Sequence, residues 1–548
     1  MKCFKNKKSF IIVFGIVLVL SMFVLRTPKP SNETNKFSSI RASEYIKEIS
    51  KEPHSYYDRD ELERVRIYLE DTLIDYLGAS NVETTHYDIN QMKAVIPSEK
   101  HSSILYPIAN VLAKIPGTNP EGILLVAHYD SRGHVGRAGE LGRSYGAMDD
   151  GYGVSALLEL AYIFKDLNPT NTIYFLFTDA EEVGLLGAYM AASDSNVMDN
   201  VRFVINLESR GRYGPTYMFE TSKNNAKVID LYKNANFPIT YSMATAVYSV
   251  MPNSTDFTPF LSTGTPGLNF ATLAGLDNYH SPLDTYEHIN QSSIEHMGVQ
   301  VEPIVREFVS DAKYISDDYF KASNDKVFFT LFAHVMVSYS QTVAVILVIL
   351  SLVLLVTLIV YKSMKKELTL EIVKKDLPKA LLLTLILVVS GYVFSNIVAF
   401  LGKVPFKITY SRVSGADYPT LVFMIAVALI LAKKTNKGNK DNILLIGITI
   451  NTLLGLLTTF VLPGASFLFT ITSLVGLAVM AINMFVNNKL AKKVLLPISY
   501  ALLMFIIIPL LWSFYMALTV GGVAILVLLL VINGAVLVPI VLHHKEIA

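Results

Sequence analysis

Five short stretches of this chain gather the side chains able to do chemistry. They are Ala127-His128-Tyr129-Asp130, Gly146-Ala147-Met148-Asp149-Asp150-Gly151, Thr178-Asp179-Ala180-Glu181-Glu182-Val183-Gly184, Asn206-Leu207-Glu208-Ser209-Arg210-Gly211 and Asn278-Tyr279-His280-Ser281-Pro282-Leu283-Asp284-Thr285. Each has an ordinary explanation when taken singly. A His-x-Asp is usually a hydrogen-bonded pair. Asp149-Asp150-Gly151 makes a good turn and helix N-cap. Glu181 and Glu182 suit the first turn of a helix, where acids complement the dipole. Glu208 can cap a strand or pair with Arg210, and His280 can sit in a satisfied loop. Together they form an inventory for hydrolysis at paired metal ions. Imidazoles and carboxylates suit zinc without any thiolate. Two cations roughly 3.5–4 Å apart need a carboxylate between them and terminal ligands beyond. One further carboxylate, off the metal, must take the proton from water. His128, Asp149, Glu181, Glu182, Glu208 and His280 supply this set, and Asp130 stands where it can orient the His128 imidazole.

The elements around these residues are those of an α/β domain. Helical periodicity runs over Ser39–Ile49 and Arg59–Leu77, with Asp58 or Asp60 as N-cap. Ile108–Ile115 and Gly122–Ala127 are predicted strands, and Tyr152–Leu167 a helix after a Gly-rich turn. Thr172–Thr178 is a continuous apolar run, as in a strand buried on both faces, and Val201–Leu207 is predicted as another buried strand. Glu182–Ser193 is predicted as a helix between them. Strands alternating with helices imply a mixed, largely parallel sheet with helices on both faces. Function in such sheets collects at the C-terminal strand ends, where most of the candidate residues fall. The Gly-rich loop 131–148 is either a substrate-contacting loop or a flexible connection, with His134 read as solvent-exposed. Arg210 is expected to pair with an acidic neighbour. Glu220 is placed either at a substrate amine or on the surface.

Composition bounds the rest. Of 548 residues, 52% are hydrophobic and 17% charged, against about 25% charged in soluble proteins. Mean hydropathy is +0.41. Neither a disordered chain nor a wholly soluble one fits. A net charge of +1 leaves no basic surplus for nucleic acid. The single cysteine, Cys3, excludes an intramolecular disulfide and any Cys-pair metal site.

The apolar residues are unevenly spread. Lysines precede an apolar run from Ser9 to Leu25, which is expected to be an uncleaved signal anchor within residues 1–26. Residues 27–38 are expected to be a linker, 39–325 an extracytoplasmic catalytic domain and 326–548 a membrane domain. Seven spans are predicted there, at 339–361, 380–401, 416–432, 442–462, 465–486, 495–514 and 518–542, the third being the weakest. Lysines in alternate loops put both chain ends in the cytoplasm and residues 26–338 outside it. The spans hold almost no ionisable groups, which speaks against an ion pathway. Asn396, Asn451, Asn483 and Asn533 are expected to make interhelical hydrogen bonds.

The motifs HYD, GAMDDGYG, DAEEVGLLG, NLESRG and NYHSPLDT, with STDFTPF at 254–260, closely resemble the M28 family of zinc metallopeptidases over about residues 40–310. The membrane-bound endoplasmic-reticulum and vacuolar members are the nearest in kind. The resemblance implies two zinc ions. It implies that His128 and Glu208 terminate one, Glu182 and His280 the other, and that Asp149 bridges them. Glu181 would be the general base, and Tyr279 an oxyanion stabiliser. Asp150 stands where the family often has Asn and is not counted as a ligand. The expected activity is removal of N-terminal residues from peptides. A carboxypeptidase, a glutaminyl-cyclase-like enzyme and a non-catalytic receptor are the alternatives on the same fold. The lipid bilayer is an expected partner, and the membrane domain a possible site of oligomerisation. A Lys-, Asn- and Ile-rich chain suggests a bacterial plasma membrane, with a vacuolar or endoplasmic-reticulum membrane as the alternative.

Overall fold

The computed structural model describes residues 2–133, 143–249, 251, 253–321, 324–408 and 411–548. Two compact units form. One comprises Arg26–Thr240 and Val247–Lys326, and the other Met1–Leu25, Tyr241–Ala246 and Val327–Ala548.

The first unit is built on a seven-stranded sheet. Its strands are β1 (Val82–Tyr87), β2 (Ile108–Ile115), β3 (Asn119–His128), β4 (Asn171–Thr178), β5 (Val201–Ser209), β6 (Tyr213–Thr221) and β7 (Gly267–Ala274). They lie in the order β1-β2-β4-β3-β5-β7-β6. The central four are parallel, while β1, β2 and β6 add on antiparallel. Every residue of β4 is buried, as its unbroken apolar run requires. Leu124, Val126, Tyr174 and Leu176 pack with Leu185, Ala188, Phe257 and Phe260 on one face. By the two-residue period of a strand, Ile123, Leu125, Phe175 and Phe177 turn to the other. Helices Gly151–Phe164 and Gln291–Ser310 contact the sheet as well.

Several expectations change. The helix predicted over Glu182–Ser193 spans only Leu186–Ser193. Ahead of it the chain turns, with the amides of Gly184 and Leu185 bonded to Glu181 O and Ala180 and Leu185 at positive φ. Asp58 occupies the N-cap position of Arg59–Leu77 but makes no side-chain cap. Its carboxylate takes the Ser55 hydroxyl and Arg143 instead. Residues 27–38 do not form a free linker. Phe37 is fully buried, and the amides of Ser31 and Ser38 donate to Glu295 and Glu159. β1, β6 and β7 were not anticipated. β1 and β6 are edge strands whose mixed polar residues blur the apolar pattern.

Among the described residues of the second unit, seven helices are long and apolar enough to cross a membrane, by length and composition. They span Gln341–Met364, Val373–Leu401, Asp417–Lys437, Lys440–Val461, Pro463–Phe485, Lys489–Leu518 and Val520–Ile547. The third, expected to be short, has 21 residues. The first apolar run of the chain, Ser9–Leu25, is a shorter helix than these. Asn451 donates to Ile532 O, and Asn533 accepts from the Thr472 hydroxyl, as interhelical bonding requires. Among the described residues, Asn396 bonds within its own helix, to Tyr392 O.

Candidate metal centre

The parallel strands bring the candidate residues to one edge. His128 closes β3, and Glu208 lies near the end of β5. Glu181 and Glu182 follow β4, and His280 lies in the turn beyond β7. Asp149 and Asp150 immediately precede helix Gly151–Phe164, with a cis peptide between them. Asp150 caps that helix by accepting from Gly153 N. Its neighbour Asp149 faces the histidines. His128 Nε2 lies 3.5 Å from Asp149 Oδ1 and 3.7 Å from Glu208 Oε2. His280 Nε2 lies 3.1 Å from both Asp149 Oδ2 and Glu182 Oε1. Two three-residue groups result, His128–Asp149–Glu208 and Asp149–Glu182–His280, and Asp149 belongs to both. Glu181 stands outside both groups.

Asp130 holds the frame. Its carboxylate lies 3.4 Å from His128 Nδ1 and accepts the amides of Glu181 and Glu182 at 2.9 and 3.2 Å. The Asp130 main-chain carbonyl, 2.9 Å from His128 Nδ1, fixes the imidazole, while its fully buried carboxylate shapes the turn that carries two glutamates. Arg132 adds an ion pair to Glu182 at 3.1 Å.

The electrostatics are those of crowded acids. Burial pushes Glu181 well above the carboxylate range; His128 opposes this, while Glu208 and Glu182 add to it. Burial also raises Glu182, and takes Glu208 up to about 8. Burial opposes ionisation of Asp149 too, but His128 and His280 beside it hold its carboxyl below the ordinary range. Burial works against the charged form of His128, yet Asp130 and Asp149 raise it overall. Asp149 Oδ2 and Glu182 Oε1 are buried and accept no well-formed hydrogen bond. Buried carboxylate oxygens that converge on the same imidazole nitrogen are what a cation satisfies. The donor set of two imidazoles and three carboxylates fits zinc.

Tyr279 stacks on the His280 ring, with centroids 3.7 Å apart and planes at 22°. The Arg210 guanidinium lies over the Tyr279 ring at 5.5 Å. Glu220 is buried rather than on the surface, and accepts from Asn269 at 2.8 Å. His134 and most of the loop around it lie outside the described residues.

Residues that sequence reasoning left without a role also meet here. Asn206 donates to Glu208 at 3.1 Å and to Asn269 at 3.0 Å. Asp256, within STDFTPF, accepts from the Thr178 hydroxyl and is fully buried. Asp284, within NYHSPLDT, accepts from Ser144, Met148 and Asp149. Only their presence inside the quoted motifs hinted at them.

Residues 110–305 match the sequence profile of Peptidase family M28. The chain is similar to proteins named vacuolar membrane protease. That of Candida dubliniensis is 28% identical over 278 residues, which is 50% of this chain and 28% of that protein. That of Schizosaccharomyces pombe is 26% identical over 65% of this chain and 42% of its own length. That of Saccharomyces cerevisiae is 29% identical over 52% and 30%. The chain therefore matches well under half the length of these relatives. Among solved structures, an aminopeptidase from Aneurinibacillus sp. strain AM-1 aligns over 51% of this chain and 96% of its own, at 14% identity and TM-score 0.38. A glutaminyl cyclase from Bacteroides thetaiotaomicron aligns over 50% and 99%, at 18% identity and TM-score 0.39.

Proposed function

From the premise that residues 110–305 belong to peptidase family M28, we propose that the chain is a membrane-embedded zinc metallopeptidase that removes N-terminal residues from peptides. The observation that carries this reading is the sharing of Asp149 by two His–carboxylate groups. His128, Glu208 and Asp149 would hold one zinc, and Glu182, His280 and Asp149 the other. Bound there, zinc would supply Lewis acidity and acidify a water toward neutral pH.

The side chains divide the remaining work. Glu181 is the general base. It stands beside the ligands, partly exposed and outside both groups, so its carboxylate is available to take a proton from the attacking water and return it to the leaving amine. Asp130 keeps His128 oriented and the Glu181–Glu182 turn in place. Tyr279, stacked on His280, is the group we assign to the oxyanion.

The membrane helices anchor this domain, with residues 26–338 on the non-cytoplasmic side and both chain ends in the cytoplasm. For the compartment, the names of the relatives support the vacuolar membrane. They lend no support to the bacterial plasma membrane suggested by composition, and we adopt the vacuolar reading.

The test uses the full chain, purified in detergent with zinc, beside Glu181→Gln. Both receive the same peptides with free and with acetylated N-termini, and products are read by mass spectrometry. Stepwise loss from free N-termini alone, absent in the variant, is the expected result. Loss from the C-terminus would overturn the aminopeptidase assignment. No cleavage by a zinc-loaded chain would overturn the peptidase.

A further inference from the structure

The ligand residues do not all rest on equal foundations. His128 and Glu208 belong to strands of the sheet. Glu182 sits in a turn whose amides are gathered by Asp130. Asp149, the residue common to both groups, lies on no strand. Its turn has to be held from elsewhere.

Asp284 does this. It is fully buried and belongs to the same turn as His280. Its Oδ1 accepts the Met148 amide at 2.7 Å. Its Oδ2 accepts the Ser144 hydroxyl at 2.7 Å and the Asp149 amide at 3.4 Å. Its carbonyl accepts the Ala147 amide at 3.4 Å. The Ser144 hydroxyl in turn takes the Gly146 amide at 2.9 Å. Ser144 is itself fixed to the end of the β3 loop, donating its amide to Arg132 O and accepting the Ser131 hydroxyl at its carbonyl. The turn bearing Asp284 is closed on its own account by Asn278, which donates to Leu283 O at 2.6 Å, and by the Asp284 amide on Ser281 O.

We propose that Asp284 is a positioning residue that ties the Asp149 turn to the His280 turn, and so presents Asp149 to both metal positions at once. The inference rests on the two-metal reading above. Three donors converge on two carboxylate oxygens, a demand that an acceptor-only group meets and an amide does not. An asparagine would set an N–H against one of those donors. Asp130 and Asp284 then have parallel duties, the first shaping the glutamate turn and the second the Asp149 turn.

The test measures metal binding by the full chain in detergent. Zinc affinity is read by competition with a chromophoric chelator, and site geometry by the absorption spectrum of the cobalt(II)-loaded chain. The chains are wild type, Asp284→Ala, Asp284→Asn and Ser144→Ala. Removing Asp284 should weaken zinc binding about tenfold or more, in the range found for outer partners of metal ligands. Its cobalt spectrum should shift, and kcat should fall with little change in KM. Asp284→Asn should fall between Asp284→Ala and wild type, and Ser144→Ala should show the smallest loss. If Asp284→Ala does not fold, wild-type affinity and spectrum in Asp284→Asn overturn the proposal. Equally, a variant with a lowered melting temperature but an unchanged affinity and spectrum would mark Asp284 as merely structural. A wild-type chain that binds no zinc overturns the metal reading itself. A wild-type chain that binds zinc no better than Asp284→Ala overturns this inference alone.

Discussion

In the helical unit, Asn451 gives its amide to the carbonyls of Gly447 and Ile532, and Asn533 accepts from Thr472. Ser351, Thr452 and Ser473 share hydroxyl contacts in the same way. At the strand ends of the other unit, Asp149, Glu182 and Glu208 crowd two imidazoles, and buried oxygens lack donors. The polar groups inside the helices are neutral, so one left over, such as Asn451 Oδ1, is a neutral deficit. Those at the strand ends are ionisable, and several carboxyls share the same two imidazoles. A neutral amide that finds a carbonyl contributes about 1 kcal/mol and asks for nothing more. A buried carboxylate without donors costs far more and persists only where something pairs it. The contrast assigns holding to the helices and chemistry to the strand ends.

The sharpest way to break this comparison is at Glu181. Glu181→Gln should retain zinc but lose about 10²–10⁴-fold in kcat/KM, as removal of a general base does. Retained activity would return the base to another group. The next effect is on stability. Glu159 is fully buried and pairs with Arg41, accepting also from Ser38 N. Glu159→Ala leaves the Arg41 guanidinium with only the carbonyls of Glu33 and Lys36 and takes the acceptor from the buried Ser38 amide, and should cost about 1.5–3 kcal/mol in chemical denaturation. A cost near zero would show that burial alone does not make such charges expensive here.

Glu220 offers a test by pH. Burial takes it up to about 7, and the Asn269 side-chain amide donates to it. A raised carboxyl binds its proton more tightly in the folded chain. Its contribution is full below the ordinary carboxylate range and is lost as pH rises through about 7. Glu220→Gln should therefore gain on the wild type between pH 5 and pH 8, by about 3 kcal/mol at most. A gap between the two midpoints that does not change with pH would refute this. The smallest effect belongs to the helices. Asn533→Leu should lose about 0.6 kcal/mol, and no more than about 1.7, in detergent unfolding, with peptidase activity unchanged. A large loss of activity instead would end the division of labour drawn above.

Much of this was legible in the chain itself. β2 and the helices Ser39–Ile49 and Arg59–Leu77 have the bounds that periodicity predicts. β4 follows from its continuous apolar run, and β5 from its mainly apolar one, because a strand covered on both faces has no polar side to alternate with. The edge strands β1 and β6 were not legible, since one side of each is left to solvent or to neighbours outside the sheet. The helix start at Leu186 was missed because acids beside an apolar run look like a first turn. Tertiary bonds to Asp130 bend that segment into a loop instead.

The sequence by itself determined which residue types are available for metal chemistry and their order along the chain. It also determined that the second half is apolar enough for seven membrane-length helices. Those are properties of composition and local spacing. Only the tertiary structure decided that Asp149 faces both histidines, that Asp130 and Asp284 brace the two turns, and that Arg210 lies over Tyr279. Residues from 128 to 284 must be brought together for this. The order of the parallel strands sets their meeting point, and no local pattern encodes it.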